Sequence, residues 1–136
     1  MNERQILLVR RKVASVNQKV FVNTLTTEAG GTNFRVLMGK FRSRQEAEGF
    51  LHAHPQLLPG AAVKRTPYTC GIGPFRNAAE AGKHAEKLGR LSLYADTENV
   101  AGAFWLYVGA FANIEEAVPV ASRMKQAGIL FKVVRR

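Results

Sequence analysis

The chain has 136 residues, enough for one domain of ordinary size, and a hydrophobic fraction of 46% excludes wholesale disorder. Lysine and arginine outnumber aspartate and glutamate by 20 to 10, spread along the chain with no long block of like charge; this favours an anionic partner (nucleic acid, an acidic polysaccharide or an anionic membrane surface) but gives no basic tail. Cys70 is the single cysteine, which excludes an intrachain disulfide, and no run of about 18 apolar residues is present to span a bilayer as a helix.

The first ten residues hold only a short apolar run, Ile6-Leu7-Leu8-Val9, which is too brief for the core of a signal peptide. The expectation from the residues alone is a soluble chain without an export address. Residues 1–33 form an N-terminal extension. Ile6, Val9, Val13, Val16 and Val20 recur at helical steps, whereas Val20-Phe21-Val22 with Thr24, Thr26 and Thr27 reads as strand. This predicts a strand or short helix near 5–13, a strand near 19–27 and a turn at Glu28–Asn33.

From residue 34 the pattern is regular. Phe34–Gly39 reads as a strand; Ser43 is placed to cap a helix, with Glu46 three residues on completing a capping box. That helix carries Ala47, Phe50 and Leu51 on one face and stops at His54-Pro55. A strand at Ala61–Arg65 follows Pro59-Gly60. The second unit repeats the plan: a strand at 68–73, an Asn77 cap with Glu80, a helix over about 78–88 with Ala81, Ala85 and Leu88 inward, and a strand at Leu91–Tyr94. The third has a strand at about 104–109, an Asn113 cap, and a helix lined by Ala117, Val120, Ala121 and Met124. Gly128 closes it, and a last strand occupies Ile129–Val134.

Gly39, Gly73 and Gly109, each followed two positions later by phenylalanine, recur at steps of 34 and 36 residues (39 to 73, then 73 to 109), the mark of an internal β-α-β repeat. Two joined units give β-α-β-β-α-β, so the expected class is α+β, with β-α-β repeats forming an antiparallel sheet and helices on one face, ferredoxin- or RNP-like. The division expected is 1–33 as extension, 34–66 as a first half-repeat and 67–136 as a complete set. Residue 34's unit must then pair with the extension or lengthen the same sheet.

The repeat resembles the SPOR (sporulation-related repeat) family, whose half-repeats place an aromatic strand before glycine-x-phenylalanine and an alanine-rich helix. Phe34–Phe41 with Glu46-Ala47, Gly73-Pro74-Phe75 with Glu80-Ala81, and Tyr107–Asn113 with Glu116-Ala117 carry the likeness. The family's strand glutamine is replaced by Leu37, Gly71 and Tyr107. The resemblance implies a non-enzymatic domain of bacterial cell-division or cell-wall proteins that binds septal peptidoglycan, in particular glycan strands stripped of stem peptides. It also implies a periplasmic or envelope location and other cell-division proteins as further partners.

Strand alternation gives that implication a surface. If Val36/Met38, Cys70/Ile72 and Leu106/Val108 face the helices, then Arg35/Leu37, Thr69/Gly71 and Trp105/Tyr107 face away. Trp105 and Tyr107 would offer flat rings to sugar C–H faces. Arg35, on a neighbouring unit, would pair with a carboxylate such as the lactyl group of muramic acid. Thr69 and Gly71 complete the expected face, where glycine lets a ligand approach the backbone. The same aromatic pair could instead lie under residues 1–33 or another subunit. A competing reading is RNA binding, because Leu106-Tyr107-Val108-Gly109 also resembles an RNP signature strand; the second RNP signature that such a module needs is missing downstream. No cofactor, metal or catalytic constellation is expected: His52 and His54 do not share a helical face, and His84 stands alone.

Overall fold

The computed structural model describes residues 3–14, 19–26, 32–55 and 61–136. Among these the order is α1 (Glu3–Ala14), β1 (Val20–Thr26), β2 (Thr32–Met38), α2 (Arg44–Ala53), β3 (Tyr68–Phe75), α3 (Ala78–Gly89), β4 (Ala95–Val100), β5 (Ala103–Phe111), a 3₁₀ turn at Glu115–Ala117 running into α4 (Val118–Gln126), and β6 (Lys132–Arg135). The class is α+β, as the repeat predicts. Val16, the turn expected at Glu28–Asn33 and the Pro59-Gly60 turn lie wholly or largely outside the described residues.

All three helix starts form from the residues that the sequence marks. The Ser43 hydroxyl accepts from the Glu46 N–H at 3.1 Å, Asn77 from Glu80 at 2.8 Å and Asn113 from Glu116 at 3.0 Å. In each the same glutamate's carboxylate also accepts from the N–H one residue before the cap, Glu46 from Arg42 at 3.4 Å, Glu80 from Arg76 at 3.3 Å and Glu116 from Ala112 at 2.9 Å, a reciprocal arrangement like a capping box. The glycine-x-phenylalanine signature has a physical reason in the first and third copies. Gly39 and Gly109 take left-handed backbone (φ +86° and +75°), and the Phe41 and Phe111 rings fold back over the bare glycine Cα, where any side chain would collide with them. In the second copy the Gly73-Pro74 bond is cis, and Gly73 lies instead against the Trp105 ring.

The main sheet has four antiparallel strands in the order β4-β5-β3-β6. Cys70, Ile72, Leu106, Val108 and Phe111 are buried from one face against Ala81 and Leu88 of α3 and Val120 and Met124 of α4, with Leu93 and Ala117 filling the ends. β4 and β5 join through Ala101 and Gly102, both at positive φ (52° and 86°), the two-residue turn that matches strand twist.

The first repeat does not lengthen this sheet. β2 pairs antiparallel with β1 in a separate two-stranded sheet, Phe21 opposite Leu37 and Asn23 opposite Arg35. Ile6 of α1 packs with Val22 and Phe34 in a second small core, to which Val20, Val36 and Tyr94 add their edges. Residues 5–13, left open between strand and helix by the sequence, are helix. Val36 accordingly faces α1, while α2 buries Ala47 and half-buries Phe50 and Leu51.

Two expected strands are absent. Residues 61–67 form no strand: among the described residues only the Pro67 carbonyl accepts a backbone hydrogen bond, and 61–66 make none. Leu91–Leu93 are consumed by the C-terminal turn of α3: Leu91 and Leu93 N–H both bond the Leu88 carbonyl, with Ser92 at φ +58° between them. The strand begins instead at Ala95, on the polar sequence Ala95–Val100. The last strand also starts later than expected, at Lys132, since the Ile129 N–H bonds back to Met124 around left-handed Gly128.

Candidate functional site

The helix-free face of the main sheet is fixed by register. Directly opposed residues share a face, and the pairs Asp96/Tyr107, Glu98/Trp105, Gly71/Tyr107, Gly71/Lys132 and Thr69/Val134 place all of these side chains away from α3 and α4. Four of the five residues singled out from the sequence therefore meet on one surface: Trp105, Tyr107, Thr69 and Gly71.

Their exposure differs. Trp105 is half-buried, its indole lying against Gly73, where an added Cβ would sit 3.1 Å from the ring. Tyr107 is half-buried with its ring over Gly71, at 3.5 Å from where a Cβ would be. Thr69 is only 2% exposed and its hydroxyl is spent inside the protein, 2.7 Å from the Gly109 carbonyl oxygen to which it donates. It shapes the face rather than presenting a group to a ligand.

Arg35 is the exception. It lies on β2, outside the main sheet, where its guanidinium carries no ion pair among the described residues and adds to the positive field that acts on Glu116. The sequence had no means of knowing that β2 would pair with β1, so it could place Arg35 only by analogy between repeats.

Three groups that sequence reasoning missed complete the face. Arg136 lays its guanidinium over the Tyr107 ring at 4.2 Å and reaches 5.9 Å from the Phe21 ring. Lys132 is exposed beside Gly71. Glu98 gathers cations: Lys40 at 2.9 Å, Lys19 at 3.2 Å, and Arg136 by a direct ion pair, while Lys19 also bonds Asp96 at 3.0 Å. Burial opposes the charge on Glu98, but the hydrogen bonds from Lys40 and Lys19 and the charges of Arg136 and Lys19 outweigh it and hold the carboxyl below its usual value. Lys132 and Arg136 would have followed from the alternation of β6 once its register was known; the Glu98 cluster joins residues 58 to 79 positions apart for Lys40 and Lys19 and carries no local signal.

The start of β1 thus lies over part of the face. Lys19 and Phe21 approach Asp96, Glu98 and the Arg136–Tyr107 stack, so residues of the N-terminal extension do cover the Tyr107 side. Among the described residues Trp105, Gly73 and Pro74 stay open or half-open. The resulting surface carries two half-buried aromatic rings, with Lys19, Lys40, Lys132 and Arg136 outnumbering the carboxylates of Asp96 and Glu98, which suits a flat, weakly anionic ligand.

His54 stacks on Phe50 at 4.3 Å, with Nδ1 3.1 Å from that residue's carbonyl oxygen, and His84 rests on Phe75 at 4.6 Å. Cys70 is fully buried, and burial pushes its thiol up to about 11. No group of three or more metal-ligating side chains and no helix long and apolar enough to cross a membrane occurs among the described residues.

Comparison with curated proteins returned no match, and neither did comparison with solved structures. The family model described as SPOR domain matches residues 64–136, more than half of the chain, and spans all four strands of the main sheet with both helices that cover it. The chain belongs to the SPOR domain family, a family of peptidoglycan-binding modules of cell-division proteins.

Proposed function

We propose that this chain is a non-catalytic module of a bacterial cell-division or cell-wall protein and that it binds peptidoglycan glycan strands in the cell envelope through the helix-free face of its main sheet. The observation that carries the reading is Trp105: a half-exposed indole on the uncovered part of that face, seated on a glycine, in a chain of this family. The indole would stack on sugar C–H faces, and Lys132, exposed on the same face opposite Gly71, would take the muramic carboxylates that stem-peptide removal exposes. Tyr107 serves as a second, more covered platform. Gly73 and Gly71 keep the backbone near enough for a flat ring to lie on it. Thr69 acts from beneath, and Arg35 lies on β2, outside the main sheet.

RNA is the rival ligand. A module that stacks bases offers aromatic rings on neighbouring central strands. Here β3 is a central strand and presents Thr69, Gly71 and Gly73 to the open face, so Trp105 and Tyr107 have no aromatic counterpart beside them. This favours sugar. Co-sedimentation of the wild-type and Trp105→Ala chains with purified murein sacculi, beside a single-stranded RNA gel shift, tests the reading. Loss of sacculus binding with the fold intact supports it; RNA binding without sacculus binding overturns it.

A further inference from the structure

The first repeat unit is half of an arrangement that the main sheet shows complete. In the main sheet β3 and β4, the two strands flanking α3, are not neighbours: β5 lies between them. The first unit has a related plan, with β2 before α2 and residues 61–67, which form no strand, after it, but no described strand lies between them. What lies there is a cleft of about 1020 Å³, bordered by residues 35–44 on one side and 61–69 on the other. Arg35, Val36, Leu37 and Met38 line it consecutively, as do 61–67. A sheet face would contribute alternate residues, so it is the edge of β2 on one side and the unpaired backbone of 61–66 on the other that border the cleft.

Both edges have backbone groups to offer. Among the described residues β2 pairs only with β1, and no described strand pairs with its second edge. Among the described residues, 61–66 make no backbone hydrogen bond at all, and beyond them only the Pro67 carbonyl accepts one, from Arg136 at 2.7 Å. Unpaired, exposed strand edges are templates for another strand. The lining chemistry states which kind. Phe21, Leu37, Phe41 and Phe50 give an apolar floor, no aspartate or glutamate is among the lining residues, and Arg35, Arg42, Arg65 and Arg135 have no carboxylate partner among the described residues.

We propose that this cleft takes an extended acidic segment of a partner protein, added as a strand between β2 and residues 61–67. The cleft adjoins the Trp105 face and shares Phe21, Lys40, Thr69 and Arg136 with its border, but Trp105 and Tyr107 do not line it, and the proposal does not rest on glycan binding there. A second copy of this chain fits the slot poorly, since its formal charge of +10 would meet the same arginines.

The test uses the full chain and a short fluorescein-labelled peptide that alternates glutamate with valine, followed by fluorescence anisotropy. Saturable binding is expected, weakened at least tenfold by the double variant Arg35→Glu/Arg65→Glu and unaffected by Trp105→Ala. Methylating alternate backbone nitrogens of the peptide, which removes strand hydrogen bonds but keeps every charge, is expected to abolish binding, and this control needs no variant to fold. Equal affinity for the methylated peptide, equal affinity for a lysine–valine peptide, no binding by the wild-type chain, or a dimer by light scattering that fills the slot with a second copy would each overturn the proposal.

Discussion

Asn23 holds Ala110 by both ends of its side-chain amide. Nδ2 donates to the Ala110 carbonyl at 2.7 Å, and Oδ1 accepts from the Ala110 N–H at 2.8 Å. The side chain thereby does what one residue of a neighbouring strand would do, just beyond Val108, where β4 ends its pairing with β5. Thr24, next in β1, donates to the Ser92 carbonyl at 2.8 Å. Two buried polar residues therefore dock the β1–β2 sheet onto the main one with their hydrogen bonds satisfied. Asn23→Ala would strand two buried backbone groups, each costing about 1–3 kcal/mol. Urea denaturation is expected to show that loss, and a change near zero would mean that the docking does not depend on Asn23.

Two glycines separate backbone strain from packing. Gly102 and Gly109 are both left-handed, yet a Cβ at Gly102 meets nothing within 4 Å, whereas at Gly109 it would strike the Phe111 ring and lie 2.7 Å from Asn23 Oδ1. Gly102→Ala is expected to cost about 1–2 kcal/mol from conformation alone. Gly109→Ala adds overpacking of about 1–3 kcal/mol and disturbs the Asn23 bond. Equal thermal destabilisation of the two variants would contradict this account of the glycine-x-phenylalanine signature.

The Glu98 cluster gives stability a pH window. Glu98 titrates below its usual value of 4.5 when folded, so its contribution is present above that value and is lost as pH falls through the folded one. Lys19 moves the other way: burial opposes its charge, but the bonds and charges of Asp96 and Glu98 raise it above 10.5, so its contribution is full below that value and is lost as pH rises through the folded one. Between these limits Glu98→Gln is expected to lower the urea midpoint, with the difference from wild type shrinking in acid and in high salt. A difference that persists unchanged in acid would assign the effect to shape and not charge.

Cys70 reports on the core. With its thiol pushed up to about 11 and no exposed surface, it should resist iodoacetamide at pH 8 in the native chain and react promptly in denaturant. Fast stoichiometric labelling of the native chain would contradict the burial of β3 against α3 and α4.

The features legible in the sequence were those encoded within one turn or one strand. Ser43, Asn77 and Asn113 announce their helices because a cap needs only its own third neighbour. Cys70, Ile72, Leu106 and Val108 could be assigned inward because alternation is local. Pairing is not local. Ala61–Arg65 has a strand's composition but no described partner, and the polar Ala95–Val100 is a strand because β5 runs beside it. Arg35 was placed with Trp105 on the strength of repeat symmetry, which the pairing of β2 with β1 breaks. The cations around Glu98 come from three distant places, and only the fold brings them together.

The central claim is that stripped glycan binds at Trp105, and the most direct measurement is co-sedimentation of the chain with sacculi before and after amidase treatment. More bound chain after the amidase removes stem peptides, and a large loss for a folded Trp105→Ala chain, is the result predicted. Binding that is indifferent to both treatments, or absent from sacculi while RNA is retarded, would contradict it.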